Sequence, residues 1–531
     1  MGSEGALTRG GRTSDGAQIS DERIFSQVRS SALVRLRTDW QPVTMSDWFL
    51  PERDRPWTAG NLVVPHVHGG DYFARLVQVI GATLEGDRIF FTDWRGDADE
   101  LLAEEGPTIG DLLADAAGRG VEVRGLLWRS HSDKMRFNAQ ENRHLGAVIN
   151  EAGGEALFDE RVRRGGSHHQ KLLVVQRQGR SHQDVAFVGG IDLCHGRRDD
   201  AEHLGDPQAA PLDDRYGPNP PWHDASLEIR GPAVSHVLDV FSERWNDPTP
   251  LDHRNPYRAV IHMAARMPRH PKPLPERWAP PPERGPHLVQ ILRTYPAKRP
   301  PFPFAPHGER TIAHAYERAF ARARHLVYVE DQYFWSEVVT GTLADALRRE
   351  PALQVIAVVP RFPEEDSATS GTPMRLGQRL ARDLLQEAGG ARFAMYDLEN
   401  AAGSPVYVHA KVCIVDDEWM TCGSDNLNLR SWTHDSEVTC AVVDPDGRLP
   451  REFRATLWAE HLGLPPDDPR LADLDHATSL WAERVGEPGA RIRPHVLTPV
   501  RRAVRLWADP AYRILFDPDG RPRGLRRTDK F

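Results

Sequence analysis

Cysteine is scarce in this chain: four in 531 residues, Cys194, Cys413, Cys422 and Cys440, with no Cys-x-x-Cys pair among them. That excludes a disulfide-built scaffold and a cysteine-based zinc cluster. Three of the four fall in apolar, strand-like sequence, which predicts buried free thiols. No apolar run reaches the roughly 18 residues that a membrane-spanning helix requires. Positive charge is also short. Sixty-seven Lys and Arg stand against 76 Asp and Glu, for a net charge of −9, and this argues against a nucleic-acid binder, whose affinity rests on a positive surface. No P-loop, dinucleotide fingerprint or zinc signature occurs. The N-terminal segment is rich in Gly, Ser and Asp and lacks the basic-then-apolar order of an export signal. It is expected to be a disordered leader over residues 1–40, and the protein is expected to be cytoplasmic unless its start is mis-assigned.

What is present is ordinary globular material, 40% hydrophobic and 27% charged, with length for two or three domains. Its most informative feature is an internal repeat of about 235 residues, too long for a solenoid and suited to a duplicated domain. A helix pattern over Tyr72 to Ile80 precedes a strand ending at Asp93-Trp94. A second, over Thr311 to Ala323, precedes a strand ending at Glu330-Asp331. Helix-like segments at Ile109 to Ala117 and Thr342 to Arg349 then lead into apolar strands at Val121 to Trp128 and Leu353 to Pro360. Strands alternating with helices predict an α/β fold with a largely parallel or mixed sheet. Between the copies, residues 266–286 hold eight prolines, which favour a stiff, extended connector. The expected division is an N-terminal lobe at 41–265, a linker at 266–286, a C-terminal lobe at 287–460, and a tail at 461–531 packed on the second lobe.

The repeat carries a chemical motif twice. The second copy reads His409-Ala410-Lys411, then Asp416 and Gly423-Ser424-Asp425-Asn426. The first reads His169-Gln170-Lys171, then Gln176 and Gly189-Gly190-Ile191-Asp192. In a strand, residues i and i+2 share a face, so each His is expected beside its Lys. An imidazole that attacks phosphorus while an ammonium holds a phosphate oxygen is a coherent pair. Each histidine needs a partner to fix its tautomer. Asp224 and Glu437 precede comparable strands, and Asp224 is expected to orient His169 and Glu437 to orient His409. Ser424 and Asn426, again i and i+2, are expected to reach the phosphate.

These residues resemble the phospholipase D superfamily and its paired HKD motifs, over about Asn61 to Gly463. Phe187-Val-Gly-Gly-Ile-Asp-Leu-Cys194, Gly196-Arg-Arg-Asp199-Asp200, Pro221-Trp222-His223-Asp224 and Val329-Glu330-Asp331-Gln332-Tyr333-Phe334 are similar to its phospholipase branch, in the bacterial type without accessory lipid-binding domains. The resemblance implies two α/β/α sandwich lobes related by a pseudo-twofold axis. It also implies one site at their interface and a covalent phosphohistidine, with His169 as nucleophile and His409 as acid and base. The residues alone do not distinguish the two histidines. The implied reaction is hydrolysis of a glycerophospholipid such as phosphatidylcholine to phosphatidate, with transfer to a primary alcohol competing with water. A monomer acting at a membrane or micelle surface is expected, without nucleic acid. A cardiolipin-synthase-like transferase, a nuclease and a non-catalytic lipid-binding scaffold remain open alternatives. Glu330, Gln332, Gly190 and Asp192 are candidate substrate contacts.

Three departures from the motif stand out. Gln176 replaces the first motif's Asp, with Asp184 as a candidate substitute. Gly190 replaces Ser424, and Asp192 replaces Asn426. An ionised Asp192 cannot donate to phosphate and is expected to bind Lys411 or His409 across the interface. Asp71 is expected to cap the first helix. His66 and His68 could pair on a metal, but no third ligand lies nearby in sequence. Phosphohistidine chemistry needs no metal, and neither metal nor cofactor is expected. Loops at 195–221 and 361–375 are expected to roof the site, with Trp94, Tyr333, Phe334 and Trp335 as rim or core residues.

Overall fold

The computed structural model describes residues 45–51, 55–129, 139–209, 212–252, 260, 270–364, 370–497, 499–528 and 530–531. The expected leader, part of the proline-rich connector and parts of both roofing loops lie outside these residues. Met45–Phe531 form one compact unit.

The duplication read from the sequence is built into the sheet. In the first copy, β1 (Trp57–Val67), β2 (Arg88–Asp93), β3 (Glu122–Trp128), β4 (Glu155–Asp159), β5 (Leu172–Gln176) and β6 (Val185–Gly189) are followed by the two-residue β7 (Trp222–His223) and by β8 (Ala225–Arg230). Their order across the half-sheet is β4-β3-β2-β5-β6-β8-β1, parallel from β4 to β2 and antiparallel beyond. The second copy starts with β9 (His287–Tyr295), β10 (Glu309–Arg310), β11 (Leu326–Glu330), β12 (Gln354–Val358) and β13 (Phe393–Glu399). It continues with β14 (Pro405–Val408), β15 (Val412–Val415), β16 (Trp419–Gly423) and β17 (Glu437–Val443). The order β13-β12-β11-β15-β16-β17-β9 repeats the first with the same mixture of directions.

The half-sheets join edge to edge where β1 pairs antiparallel with β9, through an irregularity between Thr58 and Asn61. β18 (Ile492–Pro494) adds to β13, so the C-terminal segment extends the far edge. The boundary expected at residue 460 falls inside the helix Leu449–Leu462, because that helix closes one face of the second half-sheet.

The apolar alternation of the strands explains the layers. Leu172, Val174 and Val188 share one core with Val412, Ile414 and Val438, and the helices Val234–Trp245 and Leu449–Leu462 cover it. Leu173, Val175 and Phe187 point the other way, into a second core against the helices Gly69–Gly81 and Ile109–Gly118. Each fully buried Leu, Val or Phe contributes roughly 1.5–3 kcal/mol, so a continuous two-sided core fixes the strand register firmly. All four cysteines are buried free thiols. Asp71 is not a helix cap. The helix starts two residues earlier, at Gly69, and the Asp71 carboxylate takes a ring nitrogen of His66 at 2.7 Å.

Candidate active site

Both His-x-Lys motifs lie in short irregular links that precede β5 and β15, not within regular strands. The links cross between the halves. The His169 amide donates to the carbonyl of Ser436, and the His409 amide donates to that of His223. β14 pairs in parallel with β7, and an isolated bridge joins His168 to Ser436 at the equivalent place. Backbone pairing across the pseudo-twofold thus presents both motifs to one cleft.

The carboxylate partners are the reverse of those expected. His169 Nδ1 pairs with Glu437 Oε2 at 2.9 Å, and His409 Nδ1 pairs with Asp224 Oδ2 at 2.6 Å. The expectation assigned each acid to the histidine of its own copy, whereas the structure pairs them across the interface. Because each motif's backbone bonds to the segment just before the other half's last strand, the acid at the start of that strand meets the opposite histidine. Both Nδ1 atoms are thereby engaged. Both Nε2 atoms are left for chemistry. The side chain of His169 is 15% exposed and that of His409 is 6% exposed, so His169 is the more accessible of the two.

The glycine departure is explained by the same exchange. Ser424 Oγ donates to Glu437 Oε2 at 2.6 Å. At Gly190 a Cβ would overlap Asp224 Oδ1. These two residues therefore support the orienting carboxylates and do not face substrate as expected: serine braces the longer Glu437, and glycine leaves room for the shorter Asp224.

The lysines differ. Lys171 Nζ makes an ion pair with Asp192 at 3.0 Å, so the direct partner of Asp192 is the lysine of its own half, and across the interface its charge acts on His409 and Lys411 without a hydrogen bond to either. Burial opposes ionisation of Asp192, but Lys171 and Arg197 overcome it and hold the carboxyl below its usual range. Lys411 Nζ instead meets Gln332 Oε1 at 3.3 Å and the carbonyl of His409. Burial, with Lys171 adding, lowers the Lys411 ammonium to about 8. Asn426 is buried, and its Oδ1 has no hydrogen-bond partner.

Burial first, then the nearby lysines, holds His169 well below the usual imidazole range. Burial, Lys411 and Arg197 do the same to His409. Burial also raises Asp224, and raises Glu437 strongly, with Asp435 adding. At neutral pH the field therefore favours neutral imidazoles at both His169 and His409, each hydrogen bonded through Nδ1 to a carboxyl that burial holds above its usual range.

Glu330 is not a substrate contact. It ends β11 facing the helix Leu449–Leu462, where it takes His223 Nε2 at 2.8 Å, His461 Nε2 at 2.9 Å and the Tyr328 hydroxyl at 2.6 Å. Gln332 lies beyond the end of β11, where it accepts from Lys411 and donates to the Tyr407 hydroxyl. Asp331 and Asp93 do equivalent backbone work, accepting from Leu427 and Leu193.

Asp416 is remote from the cleft. It accepts from the amides of Arg324, His325 and Leu326 and so ties β15 to the start of β11. In the first copy this tie is reversed: Asp87, just before β2, accepts from the Gln178 amide beyond β5. Asp184 only closes the hairpin, through the Arg177 amide. Gln176 is tolerated because the missing carboxylate stands on the opposite strand.

A cavity of 520 Å³ adjoins the site through Gln332 and Tyr407. It is bounded by Tyr333, Trp335, Phe362 and Met374, with Arg215 from the first roofing loop and Arg361 from the second. Phe334 is fully buried and belongs to the core. Trp94 lies with its ring 6.1 Å from that of His169. Two contributors were not singled out in the sequence. Trp222 packs against the His409 ring at 4.9 Å, and Arg197 lies over Trp222 at 3.7 Å. Both sit inside the segments that carry the family resemblance, which was their only signal.

The family model described as Phospholipase D matches residues 95–260, and the one described as Cardiolipin synthase, PLD-like domain, matches residues 316–458. Phospholipase D alpha 2 of Oryza sativa subsp. japonica is 26% identical over 520 residues, covering 72% of this chain and 62% of its own length. Phospholipase D alpha 1 of Ricinus communis is 25% identical over 560 residues, covering 80% and 67%. The chain thus spans about three-fifths to two-thirds of the length of these relatives. The phosphatidylserine synthase of Haemophilus influenzae Rd KW20 shares the fold, with a TM-score of 0.53 at 13% identity, over 85% of this chain and 93% of that one. With one family domain in each half and the paired motifs at their junction, the chain belongs to the phospholipase D superfamily.

Proposed function

We propose that the protein is a phospholipase D, cleaving the distal phosphodiester bond of a glycerophospholipid through a phosphohistidine. The observation that carries this reading is the exchange of carboxylates: each histidine has Nδ1 on a buried acid from the other half, 2.9 Å for His169–Glu437 and 2.6 Å for His409–Asp224. Such a partner fixes the tautomer and supports the charge that develops on the ring.

In the first step His169 Nε2 attacks phosphorus. The bond from phosphorus to the headgroup oxygen breaks, and His409 delivers its Nε2 proton to that oxygen while taking the Asp224 carboxyl proton at Nδ1, which leaves a neutral ring and an ionised Asp224. In the second step His409 takes a proton from water or a primary alcohol. The oxygen attacks phosphorus, the P–N bond breaks, and phosphatidate or a phosphatidyl alcohol leaves. Lys411, whose hydrogen-bond partners are neutral, holds a phosphate oxygen, and the buried Asn426 amide is a further donor to it. Charge stabilisation of this kind in a water-poor site is a large catalytic term. The cavity bounded by Tyr333, Trp335, Phe362 and Met374 is of ordinary ligand size, about 300–1,000 Å³, and suits an amphiphile. Among the described residues no helix is long and apolar enough to cross a membrane, so the reading takes the lipid from a membrane or micelle surface.

Incubation with phosphatidylcholine micelles in dilute ethanol tests this. Choline and phosphatidylethanol are expected from the wild type, and neither from His169→Ala or His409→Ala. No product from any glycerophospholipid would contradict it. Transfer only to a second phospholipid or to glycerol would point to a phosphatidyltransferase, in keeping with the family model of the second half.

A further inference from the structure

Behind the candidate active site, four histidines and two glutamates cluster in the core, and the reaction above uses none of them. His68, His203, His223 and Glu460 offer donor atoms that all lie within 4.8 Å of one another. His68 Nε2 and His203 Nε2 lie 2.9 Å from separate oxygens of Glu460. The three imidazole centres are 4.9, 5.1 and 5.7 Å apart. With Zn–N bonds of about 2.0–2.1 Å, imidazoles on one tetrahedral ion place their centres about 5 Å apart.

The outer nitrogens of His203 and His223 are arranged as metal-bound histidines require, whereas His68 Nδ1 is buried without a hydrogen-bond partner. A ligating imidazole gives its other nitrogen to a carboxylate or carbonyl, which fixes the tautomer. His203 Nδ1 meets the Trp222 carbonyl at 3.1 Å, and His223 Nε2 meets Glu330 at 2.8 Å. Glu330 is itself held by His461 and Tyr328. His223 Nδ1 is buried without a hydrogen-bond partner and lies 4.0 Å from Glu460 Oε1. With Nε2 donating to Glu330, this nitrogen turns a lone pair toward a carboxylate. The Nδ1 of His461, also without a partner, does the same at 3.8 Å. Lone pairs converging on an anion in a buried site are repulsive unless a cation lies among them. His68 and His203 also hold positive φ, 69° and 53°, a conformation uncommon outside glycine and one that needs an outside interaction to maintain it.

We propose that His68, His203, His223 and Glu460 bind one divalent transition-metal ion, zinc by its preference for imidazole with one carboxylate in tetrahedral geometry. The ion is structural. Four protein ligands leave no open position, and His68, His203 and His223 are fully or nearly fully buried. It ties the loop after Arg198 and β7 of the first half to the helix Leu449–Leu462 of the second. It thereby fixes Trp222–His223, the segment that ends at Asp224 beneath His409.

Metal content of the full-length protein, purified without chelator and desalted, tests this. About one zinc per chain is expected. His203→Ala and Glu460→Gln should each fall below about one-tenth of that, while His169→Ala keeps its full complement. Cobalt substituted for zinc should give the intense visible absorption of a tetrahedral N/O site, a readout on the wild type that remains if the variants fail to fold. Wild-type protein that holds no transition metal and takes up neither zinc nor cobalt on titration would overturn the proposal. So would metal lost from His169→Ala but retained in Glu460→Gln.

Discussion

The two halves of the candidate site carry the same motif in different electrostatic settings. In the first, Lys171 is paired with Asp192 at 3.0 Å, and a glycine stands beside the orienting acid. In the second, Asn426 takes the place of Asp192, Lys411 hydrogen bonds to neutral groups while the Asp224 and Asp331 carboxylates act on it from farther off, and Ser424 braces Glu437. Among the described residues, one lysine stands in a direct ion pair and the other does not. A site that must bind a monoanionic phosphodiester and then release product gains from a single unpaired ammonium, and the duplicated frame allowed each copy to specialise without losing its fold.

That contrast can be broken in graded steps. The largest effect is expected for His169→Ala and His409→Ala, each lowering kcat about 10⁴-fold or more, since residues that act as a unit fail together. With a nitrophenyl phosphodiester, whose leaving group needs no proton, His409→Ala should still release one burst equivalent while His169→Ala releases none. Loss of an orienting acid comes next. Asp224→Asn and Glu437→Gln should each cost about 10²–10⁴-fold in kcat, and Gly190→Ser should resemble Asp224→Asn, because its Cβ displaces that carboxylate. A near-wild-type Gly190→Ser enzyme would refute the packing argument.

Charge should matter less. Lys411 is lowered to about 8. A lysine is charged below its pKa and neutral above it, so kcat/KM should fall as pH rises through that value. Lys411→Arg, if active, should move this alkaline limb upward, and an unmoved limb would assign it to another group. Asp192→Asn frees the buried Lys171 to meet the phosphate and should lower KM by about tenfold or less, roughly 1.4 kcal/mol, at a cost in stability from the unpaired buried ammonium. The smallest catalytic effect is expected for Asp416→Asn, which removes a carboxylate shared by three amides. It should cost about 1–3 kcal/mol in stability, read by chemical denaturation, with kcat unchanged.

The sequence carried the duplicated α/β architecture because alternation, turn residues and a fixed offset between the motifs are local signals that repeat. It carried His169, Lys171, His409 and Lys411 for the same reason. It did not carry the pairing of acids with histidines, which depends on how β7 meets β14 across the pseudo-twofold. Glu330 reads as a cleft residue because it ends a strand beside Asp331, and its partners His223 and His461, distant in sequence, show it turned into the core instead. The histidine cluster was invisible in sequence. His68 lacks a third ligand nearby because His203, His223 and Glu460 come from 135 to 392 residues away. A search by motif spacing cannot assemble ligands that only the fold brings together.

The central claim is that one site is built from both halves with its carboxylates exchanged. The most direct test is rapid quenching and peptide mapping of Asp224→Asn and Glu437→Gln after mixing with a nitrophenyl phosphodiester. The exchange predicts that Asp224→Asn accumulates a phospho-adduct on His169, with a burst of about one nitrophenolate per chain, because His409 is then poorly placed to activate water. Glu437→Gln should form the adduct slowly and accumulate little. An adduct on His409, or a burst kept in Glu437→Gln and lost in Asp224→Asn, would contradict the account.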